Sequence, residues 1–314
     1  MPEETAHDAA GTVETGTSGA SPAERFDYGQ AFARNRGWVT AAEQAVLRDK
    51  RIAIAGLGGV GGSHLLTLVR LGIGSFSIAD PDRFEIVNFN RQAGATRDSL
   101  GRPKAEVMAT RAREINAGID LRILDGGVDE ANLDRFLDGV DVYVDGLDFF
   151  AFAARRATFA ACARRGIPAV TAAPLGMGCA LLVFMPGQMT FDEYFQLEGR
   201  PELDQAIRFL IGLAPAMLHR GYLVDRSAVD LAARRGPSTV IACELCAGIA
   251  ATEVLKLLLK RGRVRAAPAG LQFDAYTGKL RRTLRPGGNR HPLQRLAIAI
   301  ARRQLAPRGY TESP

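Results

Sequence analysis

The chain has 314 residues, 47% of them hydrophobic and 24% charged, a balance that excludes wholesale disorder. Net charge is +6, but the 40 basic residues divide into 35 Arg and 5 Lys, a compositional skew that carries little weight for a nucleic-acid partner. Four cysteines (Cys162, Cys179, Cys243, Cys246) are too few for a disulfide framework, the N-terminal stretch lacks the apolar core of a secretion signal, and the richest apolar run, 241–259, is broken by Glu244, Glu253 and Lys256, so a cytoplasmic protein with no membrane partner is expected.

Residues 1–24 are small, polar and acidic and read as a disordered segment. Residues 25–50 read as a helical arm, in which Thr40 precedes AAEQAVL with Glu43 three positions on, the spacing of a capping box. RIAIAG at 51–56 is a β-rich apolar run ending in glycine, which predicts a buried strand. GSHLLTLVRLGIG follows with Leu65, Leu68 and Val69 at helical spacing and Gly72 as its stop. SFSIAD (75–80) is a second strand, and PKAEVMATRAREIN (103–116) a helix with proline at its first position. LRIL (121–124) and VDVYVD (140–145) are strands separated by a short helical stretch at 130–137. FAARRATFAACARRG is a helix ended by Gly166, and IPAVTAA (167–173) a further strand.

Such alternation predicts an α/β fold with a Rossmann-like, mostly parallel sheet covered by helices on both faces. Beyond Pro174 the pattern changes. CALLVFMPG reads as a strand, 189–238 as an irregular insertion, 243–260 as a long helix and LQFDAYTGKLRRTLR as a hairpin turning at Thr277 and Gly278. Antiparallel strands therefore extend the sheet in the C-terminal half. Between Asp274 and Glu312 there is no acid against nine Lys or Arg, so 286–314 reads as a basic tail.

Gly56-Leu57-Gly58-Gly59-Val60-Gly61 joins the first strand to its helix, with Asp80 nineteen residues past the last glycine. Gly56 permits the tight turn, Gly58 the approach of a phosphate, and Gly61 the packing of helix on strand. The helix N-terminus supplies unpaired amides and partial positive charge, and Asp80 can accept from ribose hydroxyls. Asn88, Arg91, Lys104 and Asp148 all fall at or beyond the C-terminal ends of strands, where open α/β sheets bind ligands. Lys104 stands in the first turn of a helix, where a cation opposes the macrodipole unless an anion is bound beside it. A carboxylate such as Asp148 next to phosphates suits magnesium, which keeps waters and takes few protein ligands. Taken singly, Asp148 is a turn former and Arg91 a surface residue; their joint placement favours a nucleotide site. His64, one turn into the helix, reads as a packing residue.

GLGGVGG, IADPD, NFNRQ, GRPK and VDGLD, in that order from about Arg34 to Arg282, resemble the adenylate-forming enzymes of the ubiquitin-activating type, the bacterial ThiF, MoeB and HesA proteins. The resemblance implies an adenylation core at 51–188, an acceptor-facing insertion at 189–238, and a helix and hairpin at 239–285 that complete the core. It implies ATP bound by Gly56, Gly58, Gly59, Gly61 and Asp82, with ribose held at Asp80. Asn88, Arg91 and Lys104 line the triphosphate, and magnesium sits at Asp148. It also implies a homodimer in which Arg34, or Arg36, reaches the partner's phosphates, and a carboxylate acceptor on a peptide, a carrier protein or a metabolite. One Cys-x-x-Cys pair, Cys243 and Cys246, cannot close a tetrahedral zinc site, so zinc is not expected. Residues 180–242 hold no cysteine for a thioester, leaving Cys243 as the candidate. Phe149 and Phe150 follow Asp148 where relatives often carry a polar residue, which implies an altered acceptor pocket. The alternatives are an adenylating relative acting on a transfer RNA base, an NAD-binding oxidoreductase, and a nucleotide sensor without catalysis.

Overall fold

The structure, a computed structural model, describes residues 26–305; the disorder expected of residues 1–24 and the last nine residues of the basic tail lie outside the described residues. In chain order the regular elements are α1 (Tyr28–Ala31), α2 (Ala41–Arg48), β1 (Arg51–Ala55), α3 (Gly59–Arg70), β2 (Ser75–Ala79), α4 (Lys104–Ile115), β3 (Asp120–Leu124), α5 (Leu133–Leu137) and β4 (Val142–Asp145). They continue with α6 (Phe152–Arg165), β5 (Ala169–Leu175), β6 (Gly178–Phe184), α7 (Phe191–Phe195), α8 (Glu202–Leu213), α9 (Val240–Leu259), β7 (Ala269–Asp274), β8 (Lys279–Leu284) and α10 (Pro292–Leu305).

Among the described residues eight strands form one sheet in the order β3-β2-β1-β4-β5-β6-β7-β8. The first five are parallel and the last three antiparallel. Because both faces of the parallel part are covered, its central strands are apolar on both sides. Ile52 and Ile54 of β1 pack into the layer beneath α3, α4 and α9, while Ala53 and Ala55 face the aromatic layer of Tyr143, Phe159 and α5–α8. A hydrogen bond of 2.8 Å from Ser63 to Glu244 ties α3 to α9.

Thr40 and Glu43 make both bonds of the expected capping box, at 2.8 and 3.1 Å. Pro103 is the cap before α4 and not its first helical residue. The stretch 130–137 is helical only over Leu133–Leu137. Residues 189–238 are not irregular throughout. Thr190 and Glu193 cap α7, and α8 spaces Leu203, Ala206, Ile207, Leu210 and Ile211 on one helical face. The basic stretch after Pro286 is not merely a tail, since α10 packs Ile298 and Ala301 against Ile207 and Ile211 of α8.

Candidate active site

The C-terminal ends of β1, β2 and β4 share one edge of the sheet, and β1 and β4 are neighbours although α3, β2, α4, β3 and α5 separate them in sequence. This is the topological switch point, where a crevice opens between diverging loops. Gly56 turns the chain there at φ +83°, a conformation side chains rarely adopt. A Cβ on Gly61 would overlap the Gly56 carbonyl, so α3 approaches β1 only because that position is bare.

Asp80 holds this loop from the next strand. Its carboxylate oxygens accept the amides of Leu57 and Asp82 at 2.6 and 2.8 Å, and the side chain is 4% exposed. Burial raises its pKa, against the lowering effect of those amides. Asp80 therefore shapes the loop, with one backbone amide on each carboxylate oxygen. Asp82, two residues on, presents the outward carboxylate. It pairs with Lys104 Nζ at 3.0 Å, the lysine stem buried and the aspartate open to solvent.

Arg91 lays its stem across Gly59 and donates to Asn90 Oδ1 at 2.9 Å and to the Val87 carbonyl at 3.2 Å. Asn88 is buried, its Oδ1 accepting the Glu85 amide at 2.9 Å, which leaves Nδ2 as its remaining donor. Gln92, which the sequence reading passed over within NFNRQ, packs its amide against Gly58 and buries Oε1 without a partner. Whichever way the amide is turned, a buried polar atom beside the loop is left for a ligand.

Asp148 is exposed in the loop after β4, where Oδ1 accepts the Phe150 amide at 2.9 Å. Its position is fixed by a pair that spacing alone did not reveal. Asp145 and Arg155 meet at 2.8 Å with both side chains 3% exposed. Arg155 also donates to the carbonyls of Leu147, Asp148 and Phe149 at 2.7, 2.9 and 3.2 Å, and its guanidinium covers the Phe209 ring at 4.7 Å. Asp145 further accepts from Thr171 at 3.0 Å. A buried charge pair with this many hydrogen bonds is satisfied, and it sets the path of the whole loop. Phe149 and Phe150 turn toward Phe209 and Phe152, so an aromatic wall stands beside Asp148.

The Gly loop, Arg91, Gln92, Lys104, Asp82 and Asp148 thus all follow the C-terminal ends of parallel strands, at the edge where an open α/β sheet binds its ligand. Cationic side chains, free helix amides, an orphaned buried amide and an outward carboxylate fit a nucleoside triphosphate with a hard cation. Arg34 and Arg36 do not reach this crevice. Asn35, between them, bonds the Leu71 carbonyl at the far end of α3, and a 12-residue helix separates that point from the loop by about 18 Å. Cys243 approaches the crevice, its Sγ over Gly59, but it is buried, and burial pushes its thiol above the ordinary value against the pull of Arg91. All four cysteines are free and buried. No group of three or more metal-ligating side chains stands together among the described residues, nor is any helix there long and apolar enough to cross a membrane.

Sheet order and loop geometry define an α/β protein with a glycine-rich turn at the switch point. A model of the ThiF family matches residues 32–296, and the chain belongs to that family. It is 36% identical over 129 residues to the tRNA threonylcarbamoyladenosine dehydratase of Escherichia coli K12, covering 41% of this chain and 47% of that protein. It is 33% identical over 143 residues to the sulfur carrier protein ThiS adenylyltransferase of the same organism, covering 46% and 56%. The chain spans about half the length of these curated relatives. A solved structure of E. coli MccB with ATP shares the fold at a TM-score of 0.60 and 17% identity, over 81% of this chain and 70% of that one.

Proposed function

We propose that the protein is an ATP-dependent adenylyltransferase, which activates a substrate carboxylate as an acyl-adenylate and releases pyrophosphate. What supports this reading is that Arg91 and Gln92 pack on Gly59 and Gly58 while Lys104, paired with Asp82, and Asp148, in the loop after β4, lie at the same edge of the sheet. In this reading Asp82 takes the ribose. The amides at the start of α3, with Arg91, Asn88 and Lys104, hold the triphosphate and neutralise charge that builds on the leaving pyrophosphate. The acceptor carboxylate enters from the side of β5 and β6, and one of its oxygens attacks the α-phosphorus. That P–O bond forms as the bond to the pyrophosphate oxygen breaks, so no protein nucleophile takes part. Magnesium, held at Asp148, supplies charge neutralisation at the phosphates when bound. Positioning and electrostatics carry the rate, and by analogy with phosphoryl transfer a single well-placed arginine is worth roughly 10³–10⁵.

Arg34 cannot act within its own chain, so the reading includes a homodimer in which Arg34, with Arg36 as second candidate, reaches the partner's phosphates. The buried Cys243 thiol is poorly suited to a thioester step, and the adenylate is taken directly by the final nucleophile. Four free thiols suit a cytoplasmic setting. The acceptor is the carboxyl terminus of a peptide or carrier protein, or a small metabolite; the ThiS adenylyltransferase similarity supports the carrier. Similarity to the tRNA dehydratase supports a second reading, in which the carboxylate is carried on a transfer RNA base. Pyrophosphate exchange into ATP, screened against peptides, carrier proteins, metabolites and transfer RNA, tests the proposal. Exchange with one class and none with NAD present in place of ATP is expected. No exchange with any class, together with tight NAD binding, would overturn it in favour of an oxidoreductase.

A further inference from the structure

Among the described residues the sheet ends in an open strand. β8 pairs there with β7 alone, Lys279 opposite Asp274 and Leu284 opposite Ala269, and it closes the strand order. Lys279, Leu280, Arg281, Arg282 and Leu284 are exposed. An edge of this kind presents N–H and C=O groups to any extended chain that suits it, and here the Arg285 side chain donates to the Leu284 carbonyl at 3.0 Å, a bond an incoming strand displaces. Its charges are all of one sign, and no acid occurs between Asp274 and Glu312. Such an edge repels a second copy of itself and attracts an acidic strand.

We infer that β8 docks an extended acidic peptide segment of the acceptor, which joins the sheet antiparallel to β8; this rests on the adenylation reading of the crevice. Direction follows from topology. β5 ends at the crevice edge, β6 descends from it, β7 rises to it and β8 descends again. A strand antiparallel to β8 therefore rises, and its carboxyl terminus emerges at the edge where ATP would sit. Five strand spacings of ~4.8 Å separate that added strand from β4, about 24 Å. Roughly seven residues of extended chain cover the distance.

The side chains of β8 also specify what the segment carries. Leu280, Arg282 and Leu284 share one face, and Lys279, Arg281 and Thr283 the other. Read from the end opposite Leu284 to the end opposite Lys279, the complementary segment is apolar, unrestricted, acidic, acidic, apolar, acidic. RNA is the less favoured partner, since phosphates leave the edge carbonyls unpaired and give Leu280 and Leu284 nothing to contact.

The probe is fluorescein-labelled Val-Thr-Glu-Glu-Val-Glu followed by seven Gly and Ser residues with a free carboxylate, titrated with the full chain by fluorescence anisotropy. Wild-type protein is expected to bind it. The double variant R281E/R282E, altered only at exposed positions, should bind at least about ten-fold more weakly. N-methylation of the probe amides on the edge-facing side should weaken wild-type binding to a similar degree. No binding by wild-type protein, equal binding by the double variant, or equal binding of the N-methylated probe would each overturn the docking. So would a transfer RNA transcript whose binding is lost in the double variant while the probe stays unbound. Calorimetry with magnesium and ATP runs beside it. ATP affinity should be unchanged in R281E/R282E, and a protein that binds the probe but no ATP would sink the adenylation reading and leave the edge.

Discussion

Replacing His64 by leucine should stabilise the protein, and more so in acid. His64 lies on α3 with no exposed surface, and neither ring nitrogen has a hydrogen-bond partner. Burial lowers its pKa to about 3. In the unfolded chain the value is about 6.5, so between these limits the unfolded state takes up a proton that the native state refuses. Stability is thus retained above the unfolded value and lost as pH falls toward the folded one. At pH ~5 the loss is about 1.5 units at ~1.4 kcal/mol each, or roughly 2 kcal/mol. Leucine abolishes that loss, fills nearly the same volume and removes an unpaired polar group worth about 1–3 kcal/mol. Urea unfolding of both proteins at pH ~7.5 and ~5 is the assay, and other titrating groups cancel in the difference. The variant should gain about 1–3 kcal/mol near neutrality and about 2 kcal/mol more in acid. A difference independent of pH would refute the reasoning.

Arg155→Met should cost about 3–5 kcal/mol in urea unfolding, because it strands the buried Asp145 carboxylate. Paired with Asp145→Asn, the loss should shrink; a double variant worse than the sum would contradict the pairing. Asp148→Ala should lose pyrophosphate exchange by at least about 10³-fold with unchanged unfolding, and exchange at the wild-type rate would remove its role. Mixed with Arg34→Ala, it should regain activity, since one site of each heterodimer then keeps both residues. Heterodimers seen by mass spectrometry without such rescue would place Arg34 outside the site. Replacing all four cysteines in a chain that still folds should leave exchange intact, and its loss would restore Cys243 to the chemistry.

Much of the fold was legible because burial on both faces of a parallel strand leaves a mark in sequence. RIAIA has no polar face to hide, and the glycines beside it can serve only a turn and a close approach. The capping box of α2 was equally plain, being local. α8 was missed because its apolar spacing was averaged into fifty residues of mixed character. α10 was missed because Arg295, Arg302 and Arg303 dominate its composition, while its packing face is only Gln294, Ile298 and Ala301. The site divided along the same line. Gly56, Arg91, Lys104 and Asp148 are candidates by residue type in the loops that follow the parallel strands. The bonds that Asp80 accepts from the amides of Leu57 and Asp82 are not legible, because a strand-end carboxylate looks the same in sequence whatever its oxygens accept. Arg155 was invisible among neighbouring arginines, since only the loop's fold brings it onto Asp145.

A crystal of the protein with magnesium and the α,β-methylene analogue of ATP, which cannot be cleaved at the α-phosphorus, addresses the central claim most directly. The triphosphate should lie across the amides from Gly58 to Gly61, within hydrogen-bond reach of Arg91 and Lys104, with ribose at Asp82 and the metal at Asp148. An analogue bound elsewhere, or one kept out because Gln92 and Arg91 stay packed on Gly58 and Gly59, would contradict the account.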